Sequence, residues 1–241
     1  MSIDESGEAT GGGVLIVAAH PDDEVLGCGG VVARHAAMGE RVDTLILAEG
    51  ATARDEQRNA DGRSAEVEAL RQSACAAAKI LGARPPQFVG LPDNRMDILS
   101  LLDIVKYVEE AVERAKPTLI YTHHGGDLNI DHRITHQAVV TACRSLPGSC
   151  IDAIYAFETL SSTEWSTTGT GPGFRPTRFV AIGNTLDRKL KALECYESEM
   201  RDFPHARSQK AVEAQAVLRG AVAGVAAAEA FEVIREVVRD V

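Results

Sequence analysis

The stretch that decides the fold is Val14-Leu-Ile-Val-Ala-Ala-His-Pro-Asp-Asp-Glu24. Its first six residues are apolar and rich in β-branched side chains, which is typical of a strand covered on both faces. Polar residues follow at once, where the strand gives way to a helix. Further apolar runs alternate with helical segments along the chain, so the sequence predicts parallel βαβ units.

The predicted strands and helices alternate over most of the chain. The strands cover residues 14–19, 42–48, 87–91, 118–122, 151–157 and 179–182. The helices cover residues 24–38, 60–81, 98–115, 132–145, 186–199, 208–218 and 222–238. A long loop at 161–176 is expected to form a rim or lid. We therefore expect one α/β domain with a mostly parallel sheet over residues 13–241, after a disordered tail at 1–12.

Length and composition fit a globular domain and exclude several classes of partner. Of the 241 residues, 45% are hydrophobic and 25% are charged, close to the average for folded proteins. A net charge of −10 repels nucleic acid and anionic membranes. The sequence contains no apolar run of the roughly 18 residues that a membrane span needs. We expect neither a nucleic-acid partner nor a membrane span.

The pattern of cysteines indicates the redox environment in which the protein is expected to reside. The five cysteines are scattered, and no two have the two-residue spacing of a metal or redox motif. This usage favours a reducing environment. The amino terminus is acidic where a secretory signal is basic and then apolar. The expected location is the cytoplasm.

The cluster of His20, Asp22, Asp23 and Glu24 predicts a site for chemistry. In an open parallel sheet, the loops at the carboxyl ends of the strands form the ligand crevice. Imidazole nitrogens and carboxylate oxygens are ligands of zinc and related divalent ions. A single Asp here could instead cap the next helix. A His with three carboxylates in this short stretch is harder to explain by capping.

A second polar cluster follows the fourth predicted strand, at residues 121–133. A catalytic zinc needs three protein ligands and keeps one position for water, so the first cluster is one ligand short. His132, at the start of a predicted helix, is a candidate third ligand. The alternative is that His132 lies on the surface or caps the helix.

These residues together resemble the PIG-L or LmbE-like family of metal-dependent N-deacetylases. The resemblance rests on the 20–24 motif and on Asn129-Ile-Asp-His132, and it extends to residues 90–95, 160–165 and 196–208. It implies a Rossmann-like fold and a homo-oligomer. It also implies removal of the N-acetyl group from an N-acetylglucosamine-type sugar or sugar conjugate.

The resemblance assigns roles to residues of this chain. The zinc ligands fall on His20, Asp23 and His132, and the general base falls on Asp22. Zinc-bound water would attack the amide while Asp22 takes its proton, which releases acetate and a free amino sugar. A His-Asp-His site also accepts Fe²⁺ or Co²⁺, so these are alternatives to zinc.

One departure from the family concerns the proton donor to the leaving amine. Many members have a His three residues before the third ligand, where this chain has Asn129. Asn can donate a hydrogen bond to an oxyanion but cannot deliver a proton. The donor is then either Asp22 or a second imidazole, with His205, His123 and His124 as candidates.

Asp131 completes the predicted catalytic set of Asp22, Asn129, Asp131 and His205. In the family this Asp supports the neighbouring His. Since Asn129 replaces that His, the alternative is that Asp131 caps the helix that starts at His132.

Four residues are predicted to bind substrate: Asp93, Arg54, Asp127 and Trp165. Asp93 matches a family position that contacts sugar hydroxyls, although a turn role is the alternative. Arg54 follows the second strand, where crevice residues are expected, and a mobile loop is the alternative. Asp127 lies in the second polar cluster. Trp165 could stack on a sugar ring, or it could belong to the core or an interface.

The sequence as a whole favours a cytoplasmic zinc-dependent N-deacetylase that acts on a small N-acetylated amino sugar. Two alternatives stay open: an amidase that removes a longer acyl group, and a non-catalytic metal-containing module that binds a sugar or nucleotide. Asn129 is the residue that keeps the second alternative open. The Ala-rich segment at 221–230 could pack against a partner subunit or form a buried helix.

Overall fold

The structure is a computed structural model that describes residues 12–53, 62–167, 169 and 171–240. Its strands are β1 (Gly13–Ala18), β2 (Val42–Ala48), β3 (Gln87–Leu91), β4 (Pro117–His123), β5 (Ala153–Phe157), β6 (Arg178–Ala181) and β7 (Ala228–Glu236). Its helices are α1 (Asp23–Ala37), α2 (Ser64–Leu81), α3 (Leu101–Ala115), α4 (Ile130–Ala142), α5 (Leu186–Glu194) and α6 (Gln209–Ala223). Short 3-10 turns lie at Met96–Ile98 and Thr163–Trp165.

These strands form one seven-stranded sheet in the order β3-β2-β1-β4-β5-β7-β6. The first five strands in this order, β3 to β5, run parallel to one another. Strand β7 is antiparallel to both β5 and β6. The parallel part has the strand order of a Rossmann-like doubly wound sheet. The predicted single α/β domain with a mostly parallel sheet is confirmed.

Strand β1 shows why the first apolar run is continuous. Val14 and Ile16 pack into a core formed with α1, α2, α5 and α6. Leu15 and Val17 pack into a second core formed with α3 and α4. Because successive side chains of a strand point to opposite faces, an apolar residue is needed at every position. The central strand is therefore covered by helices on both sides, as the sequence predicts.

Glycines mark two of the helix ends. Helix α2 ends at Gly82, whose φ of 83° is the left-handed conformation expected there. Helix α6 runs on through Gly220 and ends at Gly224, with φ 72°. A Cβ at Gly220 would lie 2.7 Å from the Cα of Ala227, so close packing requires glycine at this position. None of the helices in the described ranges is long and apolar enough to cross a membrane.

The predicted helix at 222–238 is wrong. Ala228–Glu236 forms β7, an inner strand between β5 and β6. Phe231, Val233 and Ile234 favour a strand in this stretch, whereas the preceding alanines are divided between the end of α6 and the short connection after it. The Ala-rich segment at 221–230 is thus not a helix of its own, since it spans the end of α6, a connection and the start of β7.

Helix α1 is broken at Cys28, which has φ −148° and ψ 21°. A buried ion pair satisfies peptide groups on both sides of the break. Glu229 accepts a hydrogen bond from the Gly30 N–H at 2.9 Å. Lys189 donates to the Leu26 carbonyl at 2.8 Å and to Glu229 at 2.6 Å. Strand β7 and helix α5 therefore hold the helix whose first turn opens the candidate site.

Candidate active site

Most of the predicted site residues gather at the carboxyl ends of β1, β3 and β4. Strands β2 and β3 lie on one side of β1, and β4 and β5 lie on the other. The strand order therefore changes direction between β1 and β4. Ligands of open α/β sheets bind outside the strand ends at such a point.

The turn after β1 is strained, and carboxylates hold it in place. Asp22 has φ 105°, which non-glycine residues rarely adopt. Its backbone N–H donates to Glu24 Oε2 at 3.0 Å. The Tyr196 hydroxyl donates to the other carboxylate oxygen of Glu24. Burial raises the pKa of Glu24 to about 7, against the hydrogen bond from Tyr196.

The structure brings the three predicted metal ligands together. Asp23 Oδ2 lies 3.2 Å from His20 Nδ1 and 3.2 Å from His132 Nε2. The ligand atoms of the three residues all lie within 4.8 Å of one another. The three side chains come from the turn after β1 and the first turn of α4, two elements far apart in sequence.

Two buried atoms of this triad, Asp23 Oδ1 and His132 Nε2, fit a bound cation. Neither makes a hydrogen bond of good geometry within the described ranges, although Nε2 lies 3.2 Å from Asp23 Oδ2. The same holds for His132 Nδ1, which lies 3.1 Å from Asp127 Oδ1. Buried polar atoms are otherwise almost always hydrogen-bonded. Burial lowers the pKa of His132, but the charges of Asp23 and Asp127 outweigh it and raise this pKa to about 9. A divalent metal would satisfy both orphaned atoms and replace the proton on His132.

Asp127 lies behind His132 rather than in the cleft. Its Oδ1 is 3.1 Å from His132 Nδ1. Its carboxylate accepts the Thr163 hydroxyl at 2.5 Å and the Asn129 N–H at 2.9 Å, and it also accepts the Ser162 hydroxyl. The residue is 0% exposed and is not among the residues that line the cleft, so the geometry does not support the predicted contact of Asp127 with substrate. It occupies the position of a carboxylate that orients a metal-ligating His.

Asp131 contacts His20. Its Oδ2 lies 3.1 Å from His20 Nε2. It also accepts the backbone N–H groups of Asn94 at 2.7 Å and Met96 at 3.0 Å. Asp131 therefore ties the loop after β3 to α4 and orients His20. It does not cap α4.

Asp93 also lies beside His20, with Oδ1 3.3 Å from Nε2. Proximity alone would let His20, Asp93 and Asp131 hold a cation. The carboxylates of Asp93 and Asp131, however, already accept hydrogen bonds. Asp93 accepts the Ala53 N–H and the Asn94 side-chain amide, both at 2.9 Å. The triad with orphaned atoms is the better metal site.

Asn129 caps α4. Its Oδ1 accepts the Asp131 N–H at 2.8 Å, and its Nδ2 donates to Asn94 Oδ1 at 2.8 Å. Both ends of the amide are thus engaged, although the residue lines the cleft. Asn129, and not Asp131 as the alternative prediction had it, is therefore the N-cap of α4.

A cleft of about 170 Å³ opens beside the triad. It is lined by His20, Pro21, Asp22, Gly50, Ala51, Ala53, Asp93, Asn94, Asn129, Glu199 and Arg207. Asp22 forms its floor, 1% exposed, with Oδ2 accepting Arg207 Nη1 at 2.9 Å. Burial raises the pKa of Asp22 to about 8, and the charge of Arg207 opposes this rise.

Arg207 is a residue of the cleft that the sequence did not predict. The residue lies in the connection between α5 and α6, which the sequence placed partly in a longer helix at 186–199. No motif marked it, and it stands 185 positions from its partner Asp22. Only its place in the late stretch at 196–208 could have drawn attention to it.

Two imidazoles proposed as proton donors do not face the cleft. His123 is 0% exposed, and its Nε2 accepts the Ala19 N–H at 2.9 Å. Burial holds the pKa of His123 well below its usual range. His124 contacts Glu232 at 2.6 Å and the Pro172 carbonyl at 2.9 Å. This geometry supports neither imidazole as the donor, which leaves His205 and Asp22 as the candidates.

His205 and Trp165 lie together outside the cleft. Their ring centroids are 6.2 Å apart, His205 is exposed, and Trp165 is 50% exposed. Trp165 is thus a surface residue, not part of the core. The described part of the 161–176 loop packs against the loop after β4, where the Ser166 hydroxyl donates to the Gly126 carbonyl. Arg54 lies outside the described residues.

The comparison with known families agrees with this geometry. Residues 15–143 match the PIG-L family, described as GlcNAc-PI de-N-acetylase. This match spans more than half of the 241-residue chain and includes both polar clusters. The chain belongs to the PIG-L family.

Individual relatives extend the comparison. An uncharacterized deacetylase of Escherichia coli is 31% identical over 140 residues, which cover 56% of this chain and 70% of the relative. A 1D-myo-inositol 2-acetamido-2-deoxy-alpha-D-glucopyranoside deacetylase of Saccharopolyspora erythraea is 25% identical, with 78% of each chain covered. The 4-carboxy-2-hydroxymuconate hydratase of Pseudomonas putida has a similar structure, with TM-score 0.74, 24% identity, and coverage of 96% of this chain and 99% of that one. This last likeness concerns the fold alone.

Proposed function

We propose that this PIG-L family member is a metal-dependent hydrolase that removes the N-acetyl group from an N-acetylglucosamine-type sugar conjugate. The observation that carries the proposal is the buried triad of His20, Asp23 and His132 with its two orphaned ligand atoms, at a cleft that His20 and Asp22 both line. Family membership and the deacetylase relatives support the reaction type.

The donor set of the triad suits zinc, and Fe²⁺ or Co²⁺ are the alternatives. Two imidazoles and one carboxylate make up a common set of protein ligands for catalytic zinc. A divalent metal held there would polarise the amide carbonyl and acidify water. Metal analysis of the purified protein, with zinc, iron and cobalt measured together, identifies the native ion.

Asp22 is the group that moves the proton. Asp22 lines the cleft, its Oδ2 is held by Arg207, and no described residue donates to its Oδ1. Oδ1 takes a proton as the water oxygen bonds to the carbonyl carbon. The C–N bond then breaks, the proton passes to the amine nitrogen, and acetate and a free amino sugar are the products.

Asp22 is also our candidate for returning that proton to the leaving amine. The Asn129 amide is engaged at both ends, and its side chain carries no acidic proton at neutral pH. His205 lies on the rim, and its Nδ1 accepts the Arg207 N–H at 3.0 Å. A His205→Gln variant with unchanged turnover would leave Asp22 as the donor, whereas a large loss would assign the role to His205.

The shape and charge of the cleft favour a neutral sugar. Asp93 and Asn94 offer hydrogen-bond acceptors to sugar hydroxyls, and a volume of about 170 Å³ suits a small ring. The exposed pair of Trp165 and His205 could stack on the apolar face of an attached group. We infer a small-molecule conjugate as the substrate, and a cytoplasmic homo-oligomer as the working form of the protein.

The test is product analysis on a small panel of substrates. Purified protein with bound metal is given N-acetylglucosamine, its inositol and lipid conjugates, and the matching N-acyl compounds. The proposal predicts acetate and a free amine. Release of a longer acid only would favour the amidase alternative, and metal binding with no release from any compound would favour a binding module.

A further inference from the structure

Arg207 is fixed between the rim of the cleft and Asp22. Its Nη1 donates to Asp22 Oδ2 at 2.9 Å, and its Nε donates to Ser161 Oγ at 2.7 Å. Nη1 also lies 3.5 Å from Glu199 Oε2. The Arg207 side chain is 23% exposed and that of Asp22 is 1% exposed. The pair is therefore largely shielded from water, and the guanidinium is held from more than one side.

The backbone around Arg207 is held as firmly as its side chain. The next residue, Ser208, caps α6, and its Oγ accepts the Ala211 N–H. The Arg207 carbonyl accepts the Arg201 N–H at 3.1 Å, and the Arg207 N–H donates to His205 Nδ1 at 3.0 Å. These bonds place the guanidinium at a set position over the strained turn that carries Asp22.

We infer that Arg207 is a positioning residue for Asp22, an inference that rests on the proposed function. A general base must lie within hydrogen-bond reach of the proton that it removes. Because Arg207 binds Oδ2 of Asp22, it restrains rotation of the carboxylate and leaves Oδ1 as the oxygen that can take the proton. Without Arg207 the carboxylate could rotate, and it would lie buried without its cation.

The chemistry of the contact requires arginine in particular. The planar guanidinium bonds to Asp22 and Ser161 at the same time through separate nitrogens, and a lysine has only one nitrogen to offer. Lysine would keep the charge near Asp22 but lose the fixed orientation. We therefore expect Arg207→Lys to recover only part of the activity that an apolar replacement loses.

The kinetic test compares Arg207→Met, Arg207→Lys and the control Arg201→Met, with acetate release as the assay. Arg201 lies in the same connection but is exposed and bonds backbone carbonyls. Displacement of a catalytic group by about 1 Å can cost on the order of 100-fold. We expect R207M to lower kcat by about 10- to 100-fold with KM within about twofold, R207K to fall between, and R201M to match the wild type.

A double variant separates positioning from a general structural role. If Arg207 acts through Asp22, R207M lowers kcat no further in a D22N background. A raised KM with unchanged kcat would overturn the inference by making Arg207 a substrate-binding group. An equal loss in both backgrounds would overturn it as well.

Unfolding of the metal-stripped protein tests the same contact without turnover. R207M should lower the urea midpoint because it leaves the Asp22 carboxylate buried and unpaired, and adding D22N should restore part of the loss. Strictly additive effects would overturn the inference whether or not the wild type releases acetate. Absence of acetate release from the wild type would instead count against the proposed function.

Discussion

Replacing Asp127 by Asn should weaken metal binding without affecting substrate binding. Asp127 is 0% exposed, and its carboxylate lies 3.1 Å from Nδ1 of His132. Burial raises the pKa of this carboxyl, but its contact with His132 outweighs burial and holds the pKa below its usual range, so it is ionised at neutral pH. The Asn side chain keeps the shape and loses the charge that orients and polarises the imidazole.

The expected loss of metal affinity can be estimated from the role of a carboxylate that orients a metal-ligating His. Removing the carboxylate behind a metal-ligating His typically costs about 10- to 100-fold in metal affinity. This corresponds to about 1.4 to 2.7 kcal/mol. The result should be a weaker metal complex with the same KM for substrate at saturating metal.

The assay is a competition titration of metal-stripped D127N with a chromogenic zinc chelator. Ser162→Ala is the matched control, because it removes one hydrogen bond to Asp127 and leaves the carboxylate on His132. We expect S162A to change the affinity by less than about threefold. Wild-type affinity in D127N together with a raised KM would refute this account and return Asp127 to the substrate site.

Three further predictions follow from the structure. Asp22→Asn should keep its metal and lose about 100- to 10,000-fold in kcat, since it removes the proposed base, and near-wild-type turnover would contradict that role. Glu229→Gln leaves Lys189 charged in a buried site and should cost about 3 to 5 kcal/mol in urea unfolding, whereas a loss below about 1 kcal/mol would contradict the account of the α1 break. Burial lowers the pKa of His124, but Glu232 outweighs it and raises this pKa above 6.5, so the pair stabilises the fold below about pH 6.5 and loses this contribution as the pH rises through the raised value. Thermal unfolding of His124→Gln should therefore show a larger loss at pH 6 than at pH 9, and equal losses would refute the pairing.

The parts of the fold that could be predicted are those in which local pattern and tertiary role agree. Strand β1 is apolar at every position because helices cover both faces, and Gly82 ends α2 in the conformation that glycine favours. Strand β7 could not be read in this way. Only four residues separate it from the alanines at the end of α6, and its strand character depends on pairing with β5 and β6.

The candidate site shows the same division. His20, Asp23 and His132 could be predicted because metal chemistry limits which residue types can meet at the strand ends. The position of Asp127 could not be predicted, because only its burial reveals that it lies on the far side of His132. The role of Arg207 could not be predicted either, because a single arginine in a connecting segment forms no recognisable sequence pattern.

The most direct test of the central claim is acetate release as a function of metal content. Metal-stripped protein is titrated with zinc in the presence of an N-acetylglucosamine conjugate that the wild type turns over, and a His132→Ala variant is titrated in parallel. The account predicts no release without metal, activity that saturates at one metal ion per chain, and neither tight binding nor release in the variant. Full activity in the stripped protein, or in the variant, would contradict it.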